Sequence, residues 1–136
     1  MKRVLFVLTL FAFALSHAQD KQYRVVFDLT SKDSLDQKAV MRWIKEVTAA
    51  SPNAELEVVM YGKGLEMVIP ERSAVSADVK EAMKNPKVSF KVCEIAMRNN
   101  KVDKTQLMPG VGTVPDGIYE IYSKQREGWG YIKAVH

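Results

Sequence analysis

The 136-residue sequence holds one cysteine, Cys93, and that residue is the first candidate to carry its chemistry. Cys93 follows the apolar run Val88 to Val92 directly and precedes the helix-compatible stretch Glu94 to Asn100. A cysteine there ends a buried strand and opens a helical turn, so backbone N–H groups not yet paired point toward its sulfur and favour the thiolate. Lys91 adds to that field and Glu94 opposes it. The other reading is a small buried hydrophobe, a common fate of free cysteines. A second constellation is Gly62-Lys63-Gly64 after the run Leu56 to Tyr61. Successive glycine-flanked amides can cup an anion beside a lysine, and the same glycines serve a plain tight turn. Cys93, Met97 and Met108 are soft ligands of the kind that hold Cu(I), but no His-Met or Met-rich cluster supports them, and no metal site is expected.

The rest of the composition excludes much. The two histidines are His17 and His136, the first in a leader-like segment and the second at the terminus. Neither offers the packed imidazole that a Ser/His/Asp or Cys/His pair requires, and Cys/His zinc sites lack ligands. No Gly-x-x-x-x-Gly-Lys-Ser/Thr loop is present for a nucleotide, and no cofactor is implied. A conventional hydrolase is therefore not expected.

Residues 1–18 read as a secretory signal peptide. Lys2 and Arg3 precede the apolar run Val4 to Leu15, and Ser16-His17-Ala18 supplies a small-x-small cleavage site. The run is short for a bilayer-spanning helix, so a retained anchor is the weaker alternative. Cleavage before Gln19 leaves a domain over 19–136, exported or periplasmic and not membrane-bound, and lowers the formal charge from +4 to +2. That balance gives no nucleic-acid footprint, and Lys84, Lys87 and Lys91 read as a solvated face. In an oxidising compartment a lone cysteine is buried and inert, joined to another chain, or a free reactive thiol.

The elements that must position Cys93 follow from periodicity. Tyr23 to Leu29, Leu56 to Tyr61, Val88 to Val92, Val111 to Val114 and Trp129 to Ile132 read as strands. Ser34, with Gln37 in a capping box, opens a helix to Ala50 that places Val40, Trp43, Ile44 and Val47 on one face. Ser76 caps a second helix, and Pro115 opens another that closes at Gly128. Leu65 to Ile69 is apolar but carries no clear period. Trp129 and Tyr131 suit core or subunit-interface packing. Alternation of strand and helix predicts an α/β fold of the flavodoxin-like doubly wound kind, with five mainly parallel strands. Ligands then sit beyond the carboxyl ends of the strands. That edge gathers Cys93, Thr30, Ser31, Gly62, Lys63, Gly64 and Pro115 as candidate pocket residues.

Four segments carry a family resemblance: VVFDLTSKD (25–33), VVMYGKGLEM (58–67), VSFKVCEIAM (88–97) and LMPGVGTVPDGIYEIYSKQREGWGYIK (107–133). The last is the most specific, with Val114-Pro115, a Gln-x-x-Gly at Gln125 and Gly128, and Trp129-x-Tyr131. Together they resemble the DsrE/DsrF-like family, in its exported single-domain form. The resemblance implies a flavodoxin-like domain, a homotrimer or homohexamer, and a role in sulfur handling. It assigns Cys93 the position at which cytoplasmic relatives accept sulfur as a persulfide and pass it to a partner protein. A sulfurtransferase-like carrier is thus expected, with a sulfur donor or acceptor protein as partner. The competing expectation is a non-catalytic oligomeric module that binds a small ligand or partner and keeps its cysteine inert.

Overall fold

The computed structural model describes residues 22–135. The proposed signal peptide over 1–18 and the terminal His136 lie outside the described residues. Among the described residues no helix is long and apolar enough to cross a membrane.

Five strands form one sheet: β1 (Arg24–Leu29), β2 (Glu55–Met60), β3 (Val88–Cys93), β4 (Gly112–Val114) and β5 (Gly130–Lys133). All neighbouring pairs are parallel, in the order β4-β3-β2-β1-β5. Three successive crossovers carry the chain from β1 to β4 in one direction, and the fourth returns it across the sheet to the far side of β1. Right-handed crossovers therefore place the last helix on the opposite face from the others. Both faces are covered, so β1 (RVVFDL) and β2 (ELEVVM) are buried at every position after the first.

The period of two sorts the strand residues into unequal cores. Phe27 and Leu29, Leu56, Val58 and Met60, and Phe90 and Val92 pack under α1 (Ser34–Ala50) and α2 (Ser76–Ala82). Phe27 stacks on Trp43 of α1 with ring centroids 6.0 Å apart. On the other face Val26 and Val59 form a smaller apolar cluster with Ile121 of the last helix, α4 (Gly117–Arg126), and Tyr61 and Trp129 pack against it. α3 (Glu94–Asn99) leaves the end of β3 at once.

Four local readings differ from the sequence expectation. Ser76 is the first residue of α2 rather than its cap, which is Val75 and makes no side-chain bond. The N-cap of α1 is Asp33, whose side chain accepts the Leu35 N–H at 2.8 Å. The expected box between Ser34 and Gln37 does not form, because Gln37 turns inward and its amide oxygen takes the Ala74 N–H at 2.9 Å. Pro115 lies two residues before α4, whose cap is Asp116, accepting from Ile118 and Tyr119. The aperiodic segment at Leu65 is a short 3-10 helix, Gly64–Val68, with Leu65, Met67 and Val68 wholly buried. A three-residue repeat matches neither the strand nor the α-helical template.

Candidate functional site

Cys93 is the last residue of β3 and the N-cap of α3, and it is 4% exposed. It lies at the wall of a pocket of about 260 Å3 on the carboxyl edge of the sheet. Tyr61 and Gly62 come to that pocket from the end of β2, Ile95 and Ala96 from α3, and Asp116 and Ile118 from the start of α4. Gly117 lets α4 approach. A Cβ there would stand 3.1 Å from the Cys93 Cβ and 3.3 Å from Val59 Cγ1, tighter than ordinary packing allows. The far wall is fixed by Asn100, whose amide donates to the Gly62 carbonyl at 3.0 Å and to the Ala96 carbonyl at 2.8 Å.

Of the residues expected to line the pocket, the structure brings Gly62 together with Cys93. Thr30, Ser31, Lys63 and Pro115 lie in the neighbouring loops and Gly64 opens the 3-10 helix, none of them lining it. The amides of the Gly62-Lys63-Gly64 segment are largely committed within the chain: Lys63 N–H donates to the Thr30 carbonyl, and Gly64 N–H to the Tyr61 carbonyl. Ser31 Oγ accepts the Asp33 N–H at 2.9 Å, and Pro115 is exposed. Glu94 turns to β4, where Thr113 Oγ1 donates to its carboxylate at 2.9 Å. Met97 and Met108 are buried in the larger core, and Met108 Sδ sits 4.0 Å from the Ser76 hydroxyl.

The pocket also recruits Tyr61, Asn99, Asn100, Asp116 and Ile118, which sequence reasoning did not select. Asp116 was legible in principle, since an Asp before a helical pattern is a cap and a cap sits where helix and strand ends meet. The asparagines carry no such signal.

Tyr61 links the pocket to a buried polar row beneath α4. Asp28, 3% exposed, accepts hydrogen bonds from Tyr131 at 2.6 Å and Tyr61 at 3.3 Å. The Asp28 bond, more than burial, pushes the Tyr131 hydroxyl up to about 12. Burial first and Asp28 second raise that of Tyr61, so both remain donors at neutral pH. Farther along the same face Glu57 accepts from Ser89 Oγ at 3.1 Å and pairs with Lys124 at 3.4 Å. Lys124 in turn reaches Glu120 at 3.7 Å and lies over the Trp129 ring. Burial raises the Glu57 carboxyl above its usual value; Lys124 opposes that and Glu120 adds to it.

A pH dependence follows. Below the ordinary carboxyl value of 4.5, Glu57 is protonated in both the folded and the unfolded chain. As pH rises from there through the higher folded value, the unfolded chain ionises more readily and the fold loses stability. Glu57→Gln, which does not ionise, is expected to gain stability relative to the wild type as pH rises above the ordinary carboxyl value of 4.5. Urea unfolding across that range checks it; a difference independent of pH would contradict the assignment.

Fold and site together define a parallel α/β domain with a single-cysteine pocket at the carboxyl edge of its sheet. The sequence model of the DsrE/DsrF-like family matches residues 24–134, and the chain belongs to that family. Membership points to a sulfur-related role. Among solved structures, the chain is similar to MTH1491 of Methanobacterium thermoautotrophicum, a protein of unknown function. The two are 30% identical, the alignment covers 82% of this chain and 99% of that one, and the TM-score is 0.77. It also resembles the ychN protein of E. coli, at 13% identity and a TM-score of 0.65, covering 82% and 98% of the two chains. BT1422 of Bacteroides thetaiotaomicron, a conserved protein of unknown function, shares 13% identity and a TM-score of 0.64 over 81% and 93%. At such identities these last two establish the fold alone. Among curated proteins none matches this chain.

Proposed function

We propose that this chain is an exported, periplasmic sulfur-binding or sulfur-transfer protein in which Cys93 is the persulfide acceptor. The observation that carries the reading is the seat of Cys93: a free thiol at a strand end, between the starts of α3 and α4 and lining a small pocket. In the step envisaged, the Cys93 thiolate attacks the terminal sulfur of a donor persulfide or polysulfide. A new S–S bond forms at Cys93, the donor's S–S bond breaks, and the shortened donor leaves as a thiolate or sulfide anion. No external oxidant is consumed, and an acceptor thiolate reverses the bookkeeping in the second half. The Glu94 carboxylate accepts a hydrogen bond from Thr113 on β4.

The outer face of α4 supports a homotrimer or homohexamer. Tyr119 and Tyr122 are more than half exposed there and pair at 6.2 Å. Contiguous apolar surface on a small domain favours association. The competing reading, an oligomeric binding module with an inert cysteine, draws on the burial of Cys93.

Reagent size separates the two. The pocket is expected to admit methyl methanethiosulfonate and to exclude a bulky aromatic disulfide at neutral pH. Ile118→Ala, which trims an exposed side chain at the mouth, should raise the aromatic reagent's rate about tenfold with little change for the small one. A Cys93 that reacts with neither reagent in the folded protein is the inert cysteine of the competing reading.

A further inference from the structure

Cys93 is 4% exposed, and the start of α4 stands against it. Asp116 and Ile118 line its pocket, and an added Cβ at Gly117 would come within 3.1 Å of the Cys93 Cβ. The hold on that helix is unlike the hold on the others. α1 and α2 rest on the larger core, whereas the cluster beneath α4 has three buried members, Val26, Val59 and Ile121. The rest of its seat is polar. Glu57 Oε1, Asp28 Oδ1 and Trp129 Nε1 are buried there without a hydrogen-bond partner among the described residues. Lys124 of α4 ties the helix to β2 through Glu57 at 3.4 Å, and the two side chains are 19% and 4% exposed. A pair so buried adds little net stability, but losing its cation alone leaves an unpaired charge against the sheet.

We propose that α4 is a lid over Cys93, held shut by the Glu57–Lys124 pair. Few buried apolar contacts beneath it mark a segment that opens locally, short of global unfolding. The chain can turn at residues 114–116 before the helix and at Gly128 after it, which already holds a left-handed φ of 88°. Lifting uncovers the sulfur while the larger core, on the opposite face, stays packed. Lys124 lies about 10 Å along the helix from Gly117 and does not line the pocket. An effect of Lys124 on Cys93 therefore travels through the movement of the helix as a body. The inference rests on the reading of Cys93 as a reactive thiol and adds what regulates access to it.

Hydrogen exchange and thiol labelling test it together, at neutral pH and one protein concentration, so that contacts between copies on the outer face of α4 are the same throughout. In the wild type, α4 amides are expected to exchange faster than those of α1 and with a shallower dependence on urea, as a local opening requires. Lys124→Met should raise both α4 exchange and the rate at which a bulky aromatic disulfide labels Cys93, each about tenfold. Glu57→Gln, which keeps the shape and removes the buried charge, should lower both. Circular dichroism confirms that each variant is folded; the two act in opposite directions, so loss of either to misfolding leaves the other to decide. Amides of α4 that exchange only with those of α1, or labelling that ignores both variants, would overturn the lid, even where Cys93 takes up sulfur. Exchange and labelling that follow the variants in a protein that takes up none would uphold the lid and sink the sulfur reading.

Discussion

Gly64→Ala is expected to destabilise the domain by roughly 3 kcal/mol or more, the upper range for overpacking a core position. A Cβ at Gly64 would stand 2.0 Å from the Leu29 carbonyl oxygen and 2.7 Å from its carbon. Those are backbone atoms of the strand β1, which is paired on both sides, so no side chain can rotate away to make room. The glycine lets the 3-10 helix after β2 pack against the end of β1, which fixes where the chain leaves Gly62 for the pocket. Gly62→Ala is the control. Gly62 has a left-handed φ of 56°, and the new Cβ would approach the Thr30 carbonyl at 3.3 Å. Its expected cost is about 1–2 kcal/mol, the usual penalty for a side chain in that conformation. Urea denaturation should rank Gly64→Ala well below Gly62→Ala. Equal stability of the two would mean that the approach to Leu29 is relaxed in solution.

Cys93→Ser is expected to abolish sulfur uptake altogether while leaving the domain folded. Serine keeps the size of the thiol, and at the N-cap of α3 its hydroxyl can accept a backbone N–H of the first turn. Cys93→Ala removes the nucleophile and that acceptor together. It leaves a small cavity beside Val59 and Gly117, where the missing sulfur is expected to cost about 1 kcal/mol. The two variants should thus agree in chemistry and differ in stability, with Ser the more stable. If Ala proves the more stable of the two in urea, the hydroxyl finds no partner at the start of α3.

Much of this architecture was legible in the sequence because it rests on short-range pattern. The five strands appear where runs of β-branched residues stand, and they are parallel because helical segments separate them. Cys93 falls at the carboxyl edge because Val88 to Val92 can only be a buried strand. What was not legible depends on which groups meet across the chain. Gly62-Lys63-Gly64 reads as a plain tight turn or as an anion cup, and the choice falls to the turn because the Lys63 and Gly64 amides are engaged by Thr30 and Tyr61, which no local pattern announces. Asn100 joins the pocket by bonding Gly62, 38 residues away. The same limit applies to Asp28 and Glu57: each interrupts an apolar strand, and their partners Tyr131 and Lys124 lie in the last helix and strand. The residues beneath α4 could still be flagged, since two acids in buried strands require donors from somewhere.

Intact-mass spectrometry of the folded protein after incubation with inorganic polysulfide and desalting tests the central claim most directly. The account predicts that the wild type gains one sulfur atom, about 32 Da, that the label maps to Cys93, and that a thiol acceptor removes it. Cys93→Ala, folded by circular dichroism, should gain nothing under the same treatment. A wild-type mass that stays unchanged while small thiol reagents still modify Cys93 would contradict the assignment of Cys93 as a sulfur acceptor.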